Sequence, residues 1–253
     1  MVSPKTALVL SAGGMFGAYQ AGAWKALAGW FRPDLVIGAS VGALNGWAIA
    51  GGAAPEELVR EWLDPELRAC ARLRPTWKGA LDSRPLEARI RRLWTRYQPQ
   101  TEIGVVAVDL LGLEPRLFRN QEIGWRHLMA SCAVLTGYPQ VLLDGRLYSD
   151  GGLLGALPLW AAAEMGATRV VAIHALPKMP SLALRTALRA IRAFARHRAV
   201  PPDLEVLTIA PPRPLGPLRH AVFWGRQAVE RWIEQGQRDA HSLPAAKMPE
   251  KTR

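Results

Sequence analysis

Ser40 lies at the centre of Gly38-Ala39-Ser40-Val41-Gly42, a G-x-S-x-G pattern. This is the spacing of a nucleophile held on a tight strand-to-helix turn. Val36-Ile37 before it and Ala43-Leu44-Asn45 after it predict a short buried strand, an abrupt turn and a helix. Gly38 and Gly42 leave room beside the apex, so the hydroxyl would stand exposed above the sheet edge on strained backbone. Free N–H groups and the helix dipole at that point favour developing negative charge. The chemistry this suits is nucleophilic attack on a carbonyl.

Two further stretches can serve the same reaction. Ser11-Ala12-Gly13-Gly14-Met15-Phe16-Gly17 follows the apolar run Ala7-Leu8-Val9-Leu10 and precedes a predicted helix through Leu27. Its glycines, Gly13 and Gly14 foremost, let backbone N–H groups face an anion, either a phosphate or an oxyanion. Dinucleotide binding would also use such a loop, but it needs an acid at the end of the next strand. That strand ends instead at Gly38-Ala39-Ser40, with Asp34 ahead of it. The third stretch is Ser149-Asp150-Gly151-Gly152, which comes after a predicted hairpin turning at Asp144-Gly145. An acid at a strand end suits the rim of a sheet; the plain alternative is a turn aspartate. His174, after the predicted strand 169–173, would complete a serine–acid–histidine triad in the chain order Ser, Asp, His.

The elements that must hold these residues alternate strand and helix over 253 residues, enough for one large α/β domain. The content of 49% hydrophobic and 21% charged residues describes a folded chain rather than a disordered one. Further strands are predicted at 105–110, 116–118 and 204–209, and helices from Pro55, at 125–131 and at 158–166. Residues 60–97 read as helical and rich in arginine and tryptophan, most simply a solvated face. Residues 181–198 read as a basic amphipathic helix. In it Leu184, Leu188 and Ile191 form one stripe and Arg185, Arg189, Arg192 and Arg196 run alongside, the pattern of an interfacial or an ordinary surface helix. Residues 1–210 are expected to form the catalytic domain. A proline-rich connector, a helix over 218–237 and a loose polar tail from Pro244 would complete 211–253.

The net charge of +11 attracts anionic surfaces, either nucleic acid or acidic headgroups. No nucleic-acid module is recognisable, so no nucleic acid is expected as a partner. Two cysteines, Cys70 and Cys132, stand without a C-x-x-C companion, and the five histidines lack ligand spacing, so no metal and no cofactor is expected. Residues 35–55 carry no charge and are long enough to span a bilayer, yet Ser40, Asn45 and Gly51-Gly52 dilute them. The apolar N-terminal run resembles a signal peptide but is broken early by Ser11 and its glycines. Reduced thiols and the want of an export signal point to a cytoplasmic protein with room for peripheral contact with an anionic membrane.

Glycine loop, serine elbow and late Asp-Gly-Gly, in that order and with Leu157-Pro158 and Glu164-Met165-Gly166-Ala167 behind, resemble the patatin-like phospholipase family. The similarity runs from the first strand to Ile209. It implies a three-layer α/β/α fold on a mainly parallel sheet, and a Ser–Asp dyad that hydrolyses acyl esters of phospholipids or related lipids without histidine. Carried onto this chain, Ser40 is the nucleophile, Asp150 the general base, and Gly13 and Gly14 the oxyanion donors. Gly17, Gly38, Gly42, Gly151 and Gly152 support the motifs. Three positions depart from the family's pattern: Ala12 stands where glycine is usual, Phe16 where a basic residue is, and Ala156 where asparagine is. The dyad is untouched, but the Phe16 and Ala156 changes also fit a non-catalytic, lipid-binding or regulatory member.

Overall fold

The computed structural model describes residues 5–178 and 182–242. Ser181, the side chain of Leu184 and the segment from Pro244 lie outside the described residues. In chain order the elements are β1 (Lys5–Leu10), α1 (Gly17–Leu27), β2 (Leu35–Ala39), α2 (Val41–Ala50), α3 (Pro55–Leu63), β3 (Leu73–Thr76), β4 (Gly79–Leu81), α4 (Ser83–Arg96) and β5 (Glu102–Asp109). They continue with β6 (Glu114–Arg119), α5 (Trp125–Ser131), β7 (Val141–Leu143), β8 (Arg146–Ser149), α6 (Leu159–Glu164), β9 (Ala167–Ile173), α7 (Leu182–Ala193), β10 (Glu205–Ile209) and α8 (Arg226–His241).

The main sheet runs in the order β10-β9-β1-β2-β5-β8-β7, with β6 also on β5. β10, β9, β1, β2 and β5 are mutually parallel. Both faces of β9, β1, β2 and β5 are covered, which is why these strands carry apolar runs, whereas β10 at the edge is mostly exposed. Leu8, Leu10, Val36, Val171 and Ile173 face a core shared with α1, α2 and α8. Their neighbours Ala7, Val9, Ile37, Val170 and Ala172 face Ala161, Ala162 and Met165 of α6 and its end. The α/β/α layering with a mainly parallel centre is thus as the resemblance implies.

The strands around β5 bring distant parts of the chain to one place. β6 pairs with Gly104–Asp109, so it occupies one edge of β5. β2 pairs with Glu102–Val106 and β8 with Val108–Asp109. Because those residues overlap the β6 register, β2 and β8 must share the other edge. β2 is parallel to β5 and β8 antiparallel, so the two strands run toward each other and their C-terminal ends abut.

Two local expectations need correction, and one open alternative is narrowed. Residues 60–97 are not one helical stretch: after α3 come a 3-10 turn, the β3–β4 hairpin and then α4. Pro65 and Pro75 withhold backbone donors, while the carboxylates of Asp64 and Asp82 cap new starts by accepting from Glu66 N–H and Arg84 N–H. The final helix starts at Arg226 rather than 218, after a short 3-10 turn at Leu218–Ala221. Leu188 and Ile191 of α7 pack on Val108, Leu153 and Leu154, so this part of the apolar stripe is occupied by the protein itself. The Asp144-Gly145 turn is as expected, with φ of 47° and 75° at its two central residues.

Candidate active site

The elbow is built as its spacing requires. Ser40 has φ 54° and ψ −128°, a conformation a non-glycine residue holds only when its surroundings enforce it. It is 6% exposed and caps α2. The enforcement comes from packing: a Cβ on Gly42 would sit 2.3 Å from the Leu10 carbonyl oxygen and 2.6 Å from that of Ser11. These are backbone atoms of β1 and the glycine loop and cannot yield. Gly42→Ala is therefore expected to cost about 1–3 kcal/mol and lower the melting temperature by several degrees. Gly29→Ala, where nothing lies within 4 Å, should change it little. Equal melting of both variants would show that the elbow relaxes freely.

Asp150 arrives from the opposite direction at the end of β8. Its N–H donates to the Ala133 carbonyl at 3.0 Å, and its Oδ1 accepts from Gly152 N–H at 2.8 Å. Oδ2 is buried and has no hydrogen-bond partner among the described residues. Burial pushes the carboxyl up to about 6, while the nearby Ser40 hydroxyl and the Gly152 N–H pull it back. The two groups therefore sense each other without a short hydrogen bond being closed between them. Such looseness is common before a substrate arrives.

Ser131, a residue the sequence did not single out, ties the two ends together. Its Oγ accepts from Ser40 N–H at 2.8 Å and donates to the Val106 carbonyl at 2.6 Å. Its own carbonyl accepts from Gly151 N–H at 3.1 Å. Serine elbow, aspartate loop and β5 thus meet on one fully buried residue. A serine at the end of a short helix carries no sequence signal of this role. Cys132 beside it is buried, and both burial and the Asp150 charge keep its thiol protonated.

The glycine loop begins at the C-terminal edge of β1, whose last carbonyl and that of Ser11 lie against Gly42, two residues after Ser40. Gly14 has φ 56°, and a Cβ there would meet the Ala221 carbonyl oxygen at 2.1 Å. Neither Gly13 N–H nor Gly14 N–H has an acceptor among the described residues. Gly13 is not sterically compelled to be glycine: an added Cβ would make only ordinary contacts from 3.5 Å. Gly17 opens α1 against Val41 and Trp62, Gly38 faces the Gly42 carbonyl, and Gly151 and Gly152 lie on Val106 and Ala12. A buried polar chain fixes the loop to α2. Gln20 Nε2 donates to the Ser11 carbonyl at 2.6 Å, Asn45 Nδ2 to Gln20 Oε1 at 2.9 Å, and Trp62 Nε1 to Asn45 Oδ1 at 3.0 Å.

The three departures have plain places in this frame. Phe16 points inward, fully buried, edge-on to Trp232 with ring centroids 5.0 Å apart. Ala12 N–H donates to the Ala156 carbonyl at 2.8 Å, so the other two departures touch each other. His174 lies past β9, two strands from β2 and about 10 Å away in strand spacings. Its backbone N–H donates to the Ile209 carbonyl at 2.8 Å, and burial holds its ring below the usual histidine range. Among the described residues no cluster of three or more His, Cys, Asp or Glu side chains can hold a metal ion, and no helix is long and apolar enough to cross a membrane.

Residues 8–163 match the family model described as "Patatin-like phospholipase". The chain belongs to the patatin-like phospholipase family. Patatin-like family members are lipid hydrolases acting on ester bonds. Patatin-like phospholipase domain-containing protein 6 of mouse and of human is 31% identical over 186 residues, 66% of this chain. Protein 7 of the same series from rat is 28% identical over the same span. The match covers 13% of the length of these relatives. Among solved structures, VipD from Legionella pneumophila superposes with a TM-score of 0.58 at 10% identity, over 94% of this chain and 66% of that one. That likeness is one of fold.

Proposed function

We propose that this patatin-like chain is a serine lipid acyl hydrolase of phospholipase A or carboxylesterase type, working through a Ser40–Asp150 dyad. Ser40 Oγ attacks the acyl carbonyl of a phospholipid or related lipid ester, and its proton passes to the Asp150 carboxylate. The oxyanion that forms takes hydrogen bonds from Gly13 N–H and Gly14 N–H. When the tetrahedral intermediate collapses, the carbon–oxygen bond to the alcohol breaks and Asp150 returns the proton to the departing alkoxide. Water then enters with Asp150 as base and releases the fatty acid, restoring Ser40.

The observation that carries this reading is the buried, partnerless Oδ2 of Asp150 at the strand end abutting Ser40. A carboxyl near pKa 6 is charged at neutral pH yet basic enough to accept a proton as attack proceeds. The triad alternative draws no support from His174, whose buried Nδ1, like Asp150 Oδ2, has no hydrogen-bond partner among the described residues.

A fluorophosphonate probe with peptide mass analysis of the product tests the reading. The expected adduct is on Ser40, together with fatty-acid release from phospholipid vesicles. His174→Ala should keep both within about threefold, whereas a triad would lose them together. Vesicle binding with no adduct would instead mark a non-catalytic lipid-binding member and overturn the proposal.

A further inference from the structure

Several of the large apolar side chains left exposed lie on segments tied to the rim that holds Ser40. The β3–β4 hairpin presents Leu73 at 66% and Trp77 at 91% exposure. β4 and its end dock on the segment after α5: Ala80 N–H and Leu81 N–H donate to the Thr136 and Gly137 carbonyls, both at 2.9 Å. The same segment begins at Ala133, whose carbonyl accepts from Asp150 N–H. Four residues of chain reach at most about 14 Å, so the base of the hairpin is held within about that distance of the backbone that pairs with Asp150. Val134, 48% exposed, lies between them. Past the glycine loop, Ala221 abuts Gly14 and is succeeded by Val222 and Phe223, 36% and 51% exposed. Because β1 and β5 flank β2, the two apolar patches bracket Ser40.

The hairpin is also cationic. Arg72, Arg74 and Lys78 are exposed, and residues 72–81 contain no carboxylate. None of the three forms an ion pair among the described residues. Lys78 Nζ lies 4.8 Å from the centroid of the Trp77 ring. An indole at a projecting tip, flanked by aliphatic side chains and unpaired cations, matches the layering of a headgroup region over acyl chains. A nucleic acid would use the cations alone and leave Leu73, Val134 and Phe223 in water.

We propose that this rim is a docking surface for an anionic phospholipid bilayer, with the Trp77 hairpin as its anchor, so that acyl esters reach Ser40 from the membrane plane. The inference rests on the lipid-ester reading above, and its test separates the two. Co-sedimentation uses the full chain carrying Ser40→Ala, so that binding is read without turnover, on phosphatidylcholine vesicles with and without phosphatidylglycerol at physiological salt. The expected result is binding to the anionic vesicles. It should fall at least tenfold with Leu73→Ser plus Trp77→Ser, and about fivefold or more with Arg74→Glu plus Lys78→Glu. Melting temperatures should stay unchanged, since all four side chains are exposed. Unaltered vesicle binding in both variants would overturn the proposal. So would binding to duplex DNA in place of vesicles, or loss of self-association in sedimentation velocity as their only effect. Vesicle binding that depends on the hairpin, in a wild-type chain that fluorophosphonate does not label, would leave docking standing and remove the hydrolase reading.

Discussion

Ser40→Ala is expected to lower turnover of a short-chain nitrophenyl ester by about 10⁴-fold or more, and to abolish fluorophosphonate labelling. The expected size comes from the role: without the hydroxyl no acyl-enzyme forms, and only positioning and the oxyanion donors remain to assist water. The substitution removes one oxygen at a site 6% exposed. The Ser40 N–H bond to Ser131 Oγ is made by the backbone and survives. Stability should therefore hold or rise slightly, because alanine keeps only the backbone strain at φ 54°. Steady-state kinetics and a melting curve on the same preparation check both halves. Turnover within tenfold of wild type would exclude Ser40 as the nucleophile.

Asp150→Asn should cost about 10²–10⁴-fold in kcat/KM, the range for loss of a positioned general base. Its signature is in the pH dependence. The carboxyl is pushed by burial from its ordinary 3.8 up to about 6, so wild-type kcat/KM on a neutral ester should fall about tenfold per pH unit below that value. A profile flat to pH 4 would remove Asp150 as the base. The same displacement bears on stability. The folded state holds the proton more tightly than the unfolded chain, so the stabilising contribution of this group is fully present below about pH 4. It is lost as pH rises through about 6, a penalty on the order of 3 kcal/mol at pH 8. Asp150→Asn should therefore melt several degrees above wild type at pH 8 and level with it near pH 4, while being far less active. Activity and stability moving in opposite directions at one residue is what a carboxylate buried for catalysis predicts.

Local features of the chain were legible where a single residue pattern dictates a single backbone outcome. The apolar runs 7–10, 36–39 and 169–173 read as buried strands because helices cover both sheet faces. The Asp144-Gly145 turn was readable because both central φ angles are positive. Ser40 was readable because Gly42 must let β1 and the glycine loop approach within contact of α2. Less legible was the arginine- and tryptophan-rich stretch 60–97. Every side chain of β3 is exposed, so no alternation of burial marks the strand, and Pro65, Pro75 and Gly79 were the available signals. Phe16 showed the limit of reading a departure by residue type: its ring is fully buried edge-on against Trp232.

The linear chain already specifies the candidate site groups and the backbone that presents each one: a serine on a strand-to-helix turn, an aspartate at a strand end, glycines in a loop. Their meeting is a product of folding in three dimensions. β2 and β8 approach each other along one edge of β5, and no local pattern in either strand specifies the partner or the register. Hydrogen-bond pairing between strands far apart in sequence depends on the order of the whole sheet, which no short window of residues encodes. The side chain that joins the two ends, Ser131, acquires its role only from what packs around it.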